Sequence, residues 1–170
     1  MNLQNGTKKI INKNCPNFIM YEIGTLCWWW RMKKLNIILV FNKDENKILM
    51  CKRAKNPYIG KYNLVGGKVE ENEDELQAAY RELNEETGIT NNDIELNALM
   101  NFQYKVPDFE LEVYVGKLNK DVVLVEEVNE LKWIDKNENF FDTEKFAGDG
   151  NIGHILRHAE QNKNIYKKEN

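Results

Sequence analysis

Gly66-Gly67-Lys68-Val69-Glu70-Glu71-Asn72-Glu73-Asp74-Glu75-Leu76-Gln77-Ala78-Ala79-Tyr80-Arg81-Glu82-Leu83-Asn84-Glu85-Glu86-Thr87-Gly88-Ile89 is the stretch on which the reading of this 170-residue chain turns. It divides into a glycine pair, an acidic loop and a helix over about 73–87. Gly88 stops the helix, because glycine most easily takes the left-handed conformation that a helix end requires. Residues three and four apart are neighbours on a helix. Leu76, Tyr80 and Leu83 therefore form an apolar stripe, and Glu82, Glu85 and Glu86 converge on an adjoining face. From Glu70 to Glu86 there are eight acidic side chains and one basic one, Arg81, a net of −7 inside a protein whose total is −3. Like charges at these spacings oppose the helix by roughly a few tenths of a kcal/mol per pair, and Arg81 alone cannot neutralise three carboxylates. A divalent cation could, and hard carboxylate oxygens suit magnesium or manganese. Taken alone, the helix also reads as a plain solvated acidic face.

Outward from this stretch the pattern is regular. Upstream, Leu35–Phe41 and Lys47–Arg53 read as two strands of a hairpin across the turn Asn42–Asn46. Ala54–Tyr62, with Pro57 and Gly60, is a loop, and Asn63–Val65 leads into the glycines. Downstream, Ile94–Val106 and Glu110–Leu118 read as strands joined at Pro107-Asp108, followed by shorter strand candidates at Val122–Val125 and Leu131–Ile134. Ile152, Ile155, Leu156 and Ala159 recur at helical spacing within Ile152–Lys163. Strands and helices alternating in this way predict a mixed sheet with helices on both faces.

Residues 1–31 read as an N-terminal extension, Asn-rich and ending in Trp28-Trp29-Trp30. An accessory arm, a dimer contact and an extension of little consequence all remain open for it. Residues 32–166 read as one domain, and 167–170 as a charged, frayed tail. The mild total charge gives no global field that argues for a nucleic-acid polymer or a membrane as partner. Cys15, Cys27 and Cys51 are odd in number and widely spaced, which fits thiols in a reducing compartment better than disulfides or a zinc site. No apolar run reaches spanning length, and the apolar stretch 19–30 contains Glu22 and lacks a small-residue cleavage site. The expected location is cytoplasmic, with the oligomeric state open between monomer and homodimer.

Gly67 is followed after five residues by Glu73, seven residues later by Arg81-Glu82-Leu83, and then by Glu85-Glu86 and Gly88-Ile89. This arrangement resembles the Nudix box, G-x5-E-x7-R-E-U-x-E-E-x-G-U with U aliphatic, and every specified position is met. The wider likeness runs from about Leu35 to His158. It implies the Nudix fold, an α/β/α sandwich of the α+β kind with a mixed β-sheet between helices, the box forming loop–helix–loop. It further implies that Glu82, Glu85 and Glu86 bind Mg2+ or Mn2+ with help from the main-chain carbonyl of Gly66, and that Arg81 orients the glutamates. Glu73 and Lys68 would stabilise the loop–helix geometry, Lys68 also approaching a phosphate, while Gly67 permits tight turning and Gly88 ends the helix. The general base varies within the family; Glu82 is the choice here. The chemistry agrees. Cutting a phosphoanhydride needs a charge clamp and a water made nucleophilic near neutral pH, and bound metal ions provide both.

Beyond the box, Glu126, Glu127 and Glu130 precede Trp133 where family members often place a further acidic residue, with Glu127 and Glu130 the favoured metal ligands. Tyr62–Val69 is similar to the corresponding stretch of oxidised-purine nucleoside triphosphatases, in which an Asn at the place of Asn63 reads the base edge. An amide offers both donor and acceptor, as pairing with a purine requires. Phe146–Asn151 falls where those enzymes present an aromatic and acidic pair, so Phe146 is expected to stack and Asp149 to bond the base; a turn and helix cap is the alternative reading. Tyr104 and Pro107 lie near positions that mark dinucleoside polyphosphatases and ADP-ribose enzymes, without deciding between them. His154 and His158 lack the glutamate of an HExxH site and read as ordinary helix residues. The leading expectation is a (deoxy)nucleoside triphosphate diphosphatase that releases pyrophosphate, with oxidised purine nucleotides such as 8-oxo-dGTP among its substrates and nucleotide-pool sanitation as its role. Hydrolysis of ADP-ribose or another nucleoside diphosphate derivative is the enzymatic alternative, and a non-catalytic nucleotide sensor the other.

Overall fold

Nine strands and two α-helices are laid out in a computed structural model that describes residues 33–105 and 108–167 in full and, of the N-terminal part, the backbone of three strands. Those three, β1 (Lys8–Ile11), β2 (Phe18–Ile23) and β3 (Leu26–Arg31), form an antiparallel sheet of their own. The side chains of Trp28–Trp30 and Cys27, together with Cys15, Pro107 and residues 168–170, lie outside the described residues.

The second sheet contains β4 (Lys33–Phe41), β5 (Lys47–Lys52), β6 (Tyr62–Asn63), β7 (Asn97–Lys105), β8 (Asp108–Lys117) and β9 (Glu130–Asp135). Its order is β6-β5-β4-β8-β7, with β9 on β5, and only β4–β8 is parallel. Side chains alternate across a strand. On β4, Leu39 and Phe41 enter one core layer, while Ile38 and Val40 enter the other. Both faces are covered, which is why this strand reads as a continuous apolar run.

Helix α2 (Asn151–Gln161) closes the first layer with Ile152, Ile155, Leu156 and Ala159. Helix α1 (Glu75–Thr87) closes the second with Ala79 and Leu83. The result is the expected α/β/α sandwich. Full burial of Leu83 alone is worth about 1.5–3 kcal/mol. α1 begins two residues later than its charge pattern predicts, because Asp74 caps it. The Asp74 side chain accepts the N–H groups of Leu76 and Gln77 at 3.1 Å each, satisfying two otherwise orphaned donors. Its end is as expected: Gly88 is left-handed at φ 75 and donates its N–H to the Asn84 carbonyl.

Two expectations are corrected. The predicted hairpin of β4 and β5 is splayed: the strands pair only at Phe41–Ile48, and β4 instead takes β8 along its whole length. Residues 65–68 fill the gap. Ile38 N–H donates to the Val65 carbonyl at 2.8 Å and Asn36 N–H to the Gly67 carbonyl at 2.9 Å, so the glycine pair is wedged against the middle of the sheet. Val122–Val125 is not a strand. It runs extended after β8 with Val122 and Leu124 turned to the α1 layer, Val123 and Val125 exposed, and Val125 N–H donating to the Thr87 carbonyl. Its alternation is that of an extended segment resting on the core rather than of a strand paired in a ladder.

Candidate functional site

The wedge fixes two glycines that have no room for side chains. At Gly66, φ is 140°, and a Cβ would lie 2.4 Å from the Asn36 carbonyl oxygen. At Gly67 a Cβ would lie 2.3 Å from the Glu82 carboxylate. Gly66 N–H donates to Glu86 Oε2 at 3.0 Å, and Gly67 N–H to Asn36 Oδ1 at 3.2 Å. Backbone that approaches carboxylates this closely is what the lack of a side chain permits.

Arg81 stands at the centre of the acidic face. Its Nε and Nη2 donate to Glu73 Oε1 and Oε2 at 2.8 and 2.9 Å, and Nη2 also to the Lys68 carbonyl at 2.9 Å. Its Nη1 reaches Glu82 Oε1 at 2.8 Å and Glu85 Oε2 at 3.1 Å. The forked contact with Glu73 is the strong, orienting kind. Arg81, together with the Glu70 N–H, holds the Glu73 carboxyl down to about 2, and the same partners, Glu73 and Glu82 first, raise the guanidinium. Glu73 and Lys68 thus tie the loop to the helix, Lys68 through its main chain while its side chain is exposed.

Glu86 has a different environment. Burial pushes its carboxyl up, and although the Gly66 N–H opposes the rise, the charges of Glu82 and Glu127 add to it. Glu86 and Glu127 line a cleft of about 210 Å³ together with Arg53, Lys55, Asn129 and Cys51. Asn129 Oδ1 accepts the Ala54 N–H at 3.1 Å, which ties the loop after β5 to the loop before β9. Of the two acidic candidates outside the box, Glu127 faces this cleft, whereas Glu130 Oε2 lies 3.8 Å from Lys52 Nζ on the paired strands. Among the described residues no three His, Cys, Asp or Glu side chains already close into a ligand set: Glu82 and Glu85 are engaged by Arg81, and Glu86 by Gly66.

At the edge of the sheet, β6 brings Asn63 beside the segment before α2. Tyr62 N–H donates to the Lys145 carbonyl, and Ala147 N–H to that of Tyr62. Asn63 is half-buried, its backbone paired with Cys51. The expectation for Phe146 is corrected. Its ring is 1% exposed and packs 4.8 Å from Phe140 and 6.4 Å from Tyr62, so it is part of the core and presents no free face for stacking. Asp149 is exposed at φ 52, and its Oδ2 accepts the Tyr58 hydroxyl at 2.8 Å. Nearby, Asn151 Nδ2 donates to the Tyr104 hydroxyl at 3.1 Å, and Tyr104 stacks on Phe109.

Three functional candidates escaped the sequence reading. Arg53 and Lys55 follow the end of β5, and the cue was the basic run Lys52-Arg53-Ala54-Lys55 at a strand end. Asn36 is the one uncharged polar side chain in the run Leu35–Phe41, a position where burial makes an amide costly.

A family model described as NUDIX domain matches residues 32–156. Over 79 residues the chain is 37% identical to an 8-oxo-dGTP diphosphatase of Escherichia coli K12, covering 45% of this chain and 60% of that protein. Over 47 residues it is 47% identical to an ADP-ribose pyrophosphatase of Methanocaldococcus jannaschii, covering 28% of each. The chain therefore spans less than two thirds of these curated relatives. Among solved structures, a NUDIX hydrolase from Nitrosomonas europaea superposes with a TM-score of 0.62 at 21% identity, covering 100% of this chain and 96% of that one, which is a likeness of fold.

Proposed function

The chain belongs to the NUDIX family, and from that premise we propose that it is a metal-dependent pyrophosphohydrolase that cuts a phosphoanhydride bond in a nucleoside diphosphate derivative. The observation that carries the reading is the cleft beside Gly66, where the carboxylates of Glu86 and Glu127 share one hollow with Arg53 and Lys55. A pyrophosphate ester needs both: cations against its oxygens, and a carboxylate set that holds a divalent ion against them.

The residues fit such an ion. Every side-chain candidate is a carboxylate, the donor that magnesium and manganese prefer. Glu86 is half-buried, within electrostatic reach of Glu82 and Glu127, and partial burial disfavours its charged form, which a cation there would offset. Glu82, Glu86 and Glu127 would hold it, with Glu85 and the main chain of Gly66 as further ligands. When bound, the ion supplies charge neutralisation at the phosphoryl oxygens and makes a water acidic enough to attack. Arg81 orients Glu82 and Glu85 through its two Nη1 contacts. Glu82, lying over Gly67, takes the proton from the attacking water. Arg53 and Lys55 bind phosphate oxygens, Arg53 by a planar fork that suits them.

The favoured substrate is a nucleoside triphosphate or its deoxy form, split into a monophosphate and pyrophosphate, with oxidised purines in its range. Asn63 and Asp149 are the base-reading residues in this proposal; Phe146 is not. Purified chain with Mg2+ is to be assayed against ordinary triphosphates, 8-oxo-dGTP, ADP-ribose and dinucleoside polyphosphates. Pyrophosphate release from triphosphates is expected, and Glu82→Gln should nearly abolish it without unfolding the protein. Cleavage of ADP-ribose while every triphosphate is ignored would replace this substrate assignment by the alternative one. Tight nucleotide binding with no turnover would make the chain a sensor.

A further inference from the structure

Along β4 the side chains turned towards α1 are, by alternation, Lys34, Asn36, Ile38 and Val40. Ile38 and Val40 are fully buried and apolar, as packing under a helix demands. Asn36 is equally buried, at 1% exposure, yet it carries an amide, and its Nδ2 has no hydrogen-bond partner among the described residues. Buried polar groups are almost always paired, so a bare buried donor calls for a physical reason. The other end of the amide provides one. Asn36 Oδ1 accepts the Gly67 N–H, while the Asn36 main-chain N–H donates to the Gly67 carbonyl.

Asn36 therefore grips both polar groups of a single residue. What rests on that residue is the acidic face. The Glu82 carboxylate lies against the Gly67 Cα, and the adjoining Gly66 N–H carries Glu86. An apolar side chain at 36 would leave the Gly67 N–H bare and the glycine pair held from one side only. Two carboxylates would then lose their common reference.

We propose that Asn36 is a positioning residue: through its Oδ1 on the Gly67 N–H it holds the Gly66–Gly67 wedge in the place from which Glu82 and Glu86 bind a divalent cation. The proposal rests on the pyrophosphohydrolase reading above. Asn36 does not touch the ion or the substrate, and its action is transmitted by the glycine backbone.

The test measures Mn2+ binding to the full chain directly, by the paramagnetic resonance signal of free Mn2+, alongside kcat and KM. Asn36→Ala removes the acceptor; Asn36→Asp retains an acceptor oxygen, removes the unpaired donor and adds a carboxylate charge that itself favours a nearby cation. Asn36→Ala should weaken Mn2+ binding about 10–100-fold, the range for losing a residue that orients ligands, and should lower kcat more than it raises the nucleotide KM. Asn36→Asp should recover most of the Mn2+ affinity. Should Asn36→Ala fail to fold, Asn36→Asp decides alone: native or tighter affinity supports the proposal, since the retained acceptor and the added charge both favour the cation, and a tenfold loss overturns it. Native Mn2+ affinity in a folded Asn36→Ala overturns it, as does equal weakening in both variants. A wild-type chain that cleaves nucleotides while Asn36→Ala binds Mn2+ normally removes only this inference. A wild-type chain that neither binds Mn2+ nor cleaves removes the function it rests on, and this proposal with it.

Discussion

Gly66 and Gly67 are neighbours in sequence, yet replacing each by alanine should do opposite things. At Gly66 the added Cβ meets backbone: the Asn36 carbonyl oxygen at 2.4 Å and the Ile37 Cα at 2.8 Å, with φ at 140°. Neither the central strand β4 nor the wedge can yield without breaking their shared ladder. An L-residue in such a conformation costs about 1–3 kcal/mol, and the overpacking adds about 1–3 more. A total near 4 kcal/mol is a large part of the ~5–15 kcal/mol that holds a domain together. At roughly 2–4 °C per kcal/mol for a chain of this size, Gly66→Ala should lower Tm by about 8–16 °C.

At Gly67 the three atoms nearest the same methyl all belong to the Glu82 carboxylate, at 2.3 to 2.6 Å, and φ is not positive. That carboxylate is the far end of a flexible side chain, tied among the described residues only by its contact with Arg81 Nη1, and can swing away. Turning it costs about 0.5–1.5 kcal/mol, and alanine returns about 0.4–1 kcal/mol by restricting the unfolded chain. Stability should change by less than about 1 kcal/mol, while displacing the proposed general base should cost about 10²–10⁴ in kcat. Differential scanning calorimetry and steady-state kinetics on the two variants separate the effects. If Gly67→Ala melts as early as Gly66→Ala, the wedge is purely structural. If Gly67→Ala keeps its kcat, Glu82 is not where the chemistry needs it.

Glu86→Gln should abolish Mn2+ binding in the same resonance titration and slow turnover at least about a hundredfold, yet raise Tm slightly, since it replaces a half-buried carboxyl whose charged form is disfavoured; a lower Tm would show that the charge stabilises the fold. Arg53→Ala should raise the KM for triphosphates about tenfold or more, the order of a lost charged contact, and leave Mn2+ binding intact; an unchanged KM would take Arg53 out of the phosphate path. Burial pushes the Glu45 carboxyl up, but Lys167, Lys163 and Lys136 outweigh it and hold it below its ordinary value of 4.5. Its folded pKa is therefore the lower one, so its contribution is complete above about pH 4.5 and lost as pH falls through the folded value. Glu45→Gln should flatten the loss of Tm between pH 5 and 3, and an unaltered acid profile would assign that loss to other carboxylates.

How far the sequence carried the reading follows from which interactions are local. α1, its apolar stripe and its glycine stop depend on residues within four positions of one another, and they stand where the spacing puts them. Arg81 is likewise one residue from Glu82 and four from Glu85, so its partners were within reach of counting. The β4–β5 hairpin failed because pairing is decided by competition. Val65–Lys68 and β8 take the two edges of β4, and neither competitor is visible within the Leu35–Arg53 window. Phe146 failed for a related reason: whether an aromatic is a stacking face or core depends on Phe140 and Tyr62, of which Tyr62 is 84 positions away. Glu127 could not be separated from Glu130 by spacing either. Only the β5–β9 register shows that Glu130 sits beside Lys52 and leaves Glu127 to the cleft.

The splayed hairpin is also what makes the site possible. Had β4 paired with β5 throughout, the ladder would have been complete and the glycine pair left outside the sheet, free to move with its loop. Opening the pair beyond Phe41–Ile48 exposes the β4 edge to Val65–Lys68, and the hydrogen bonds forgone between the two strands are made instead to the wedge. The strongest local signal in the sequence, the glycine pair followed by an acidic helix, thus acquires rigid geometry from a non-local substitution of partners. The helix is fixed by Ala79 and Leu83 on one layer, the glycine pair by Asn36 and, through Val65, by Ile38 on the strand beneath it, and the carboxylates of Glu82 and Glu86 lie between these two fixed bodies. Charges that repel one another can be held at close quarters only by a frame stiffer than their repulsion, and here that frame is the middle of the sheet rather than a loop.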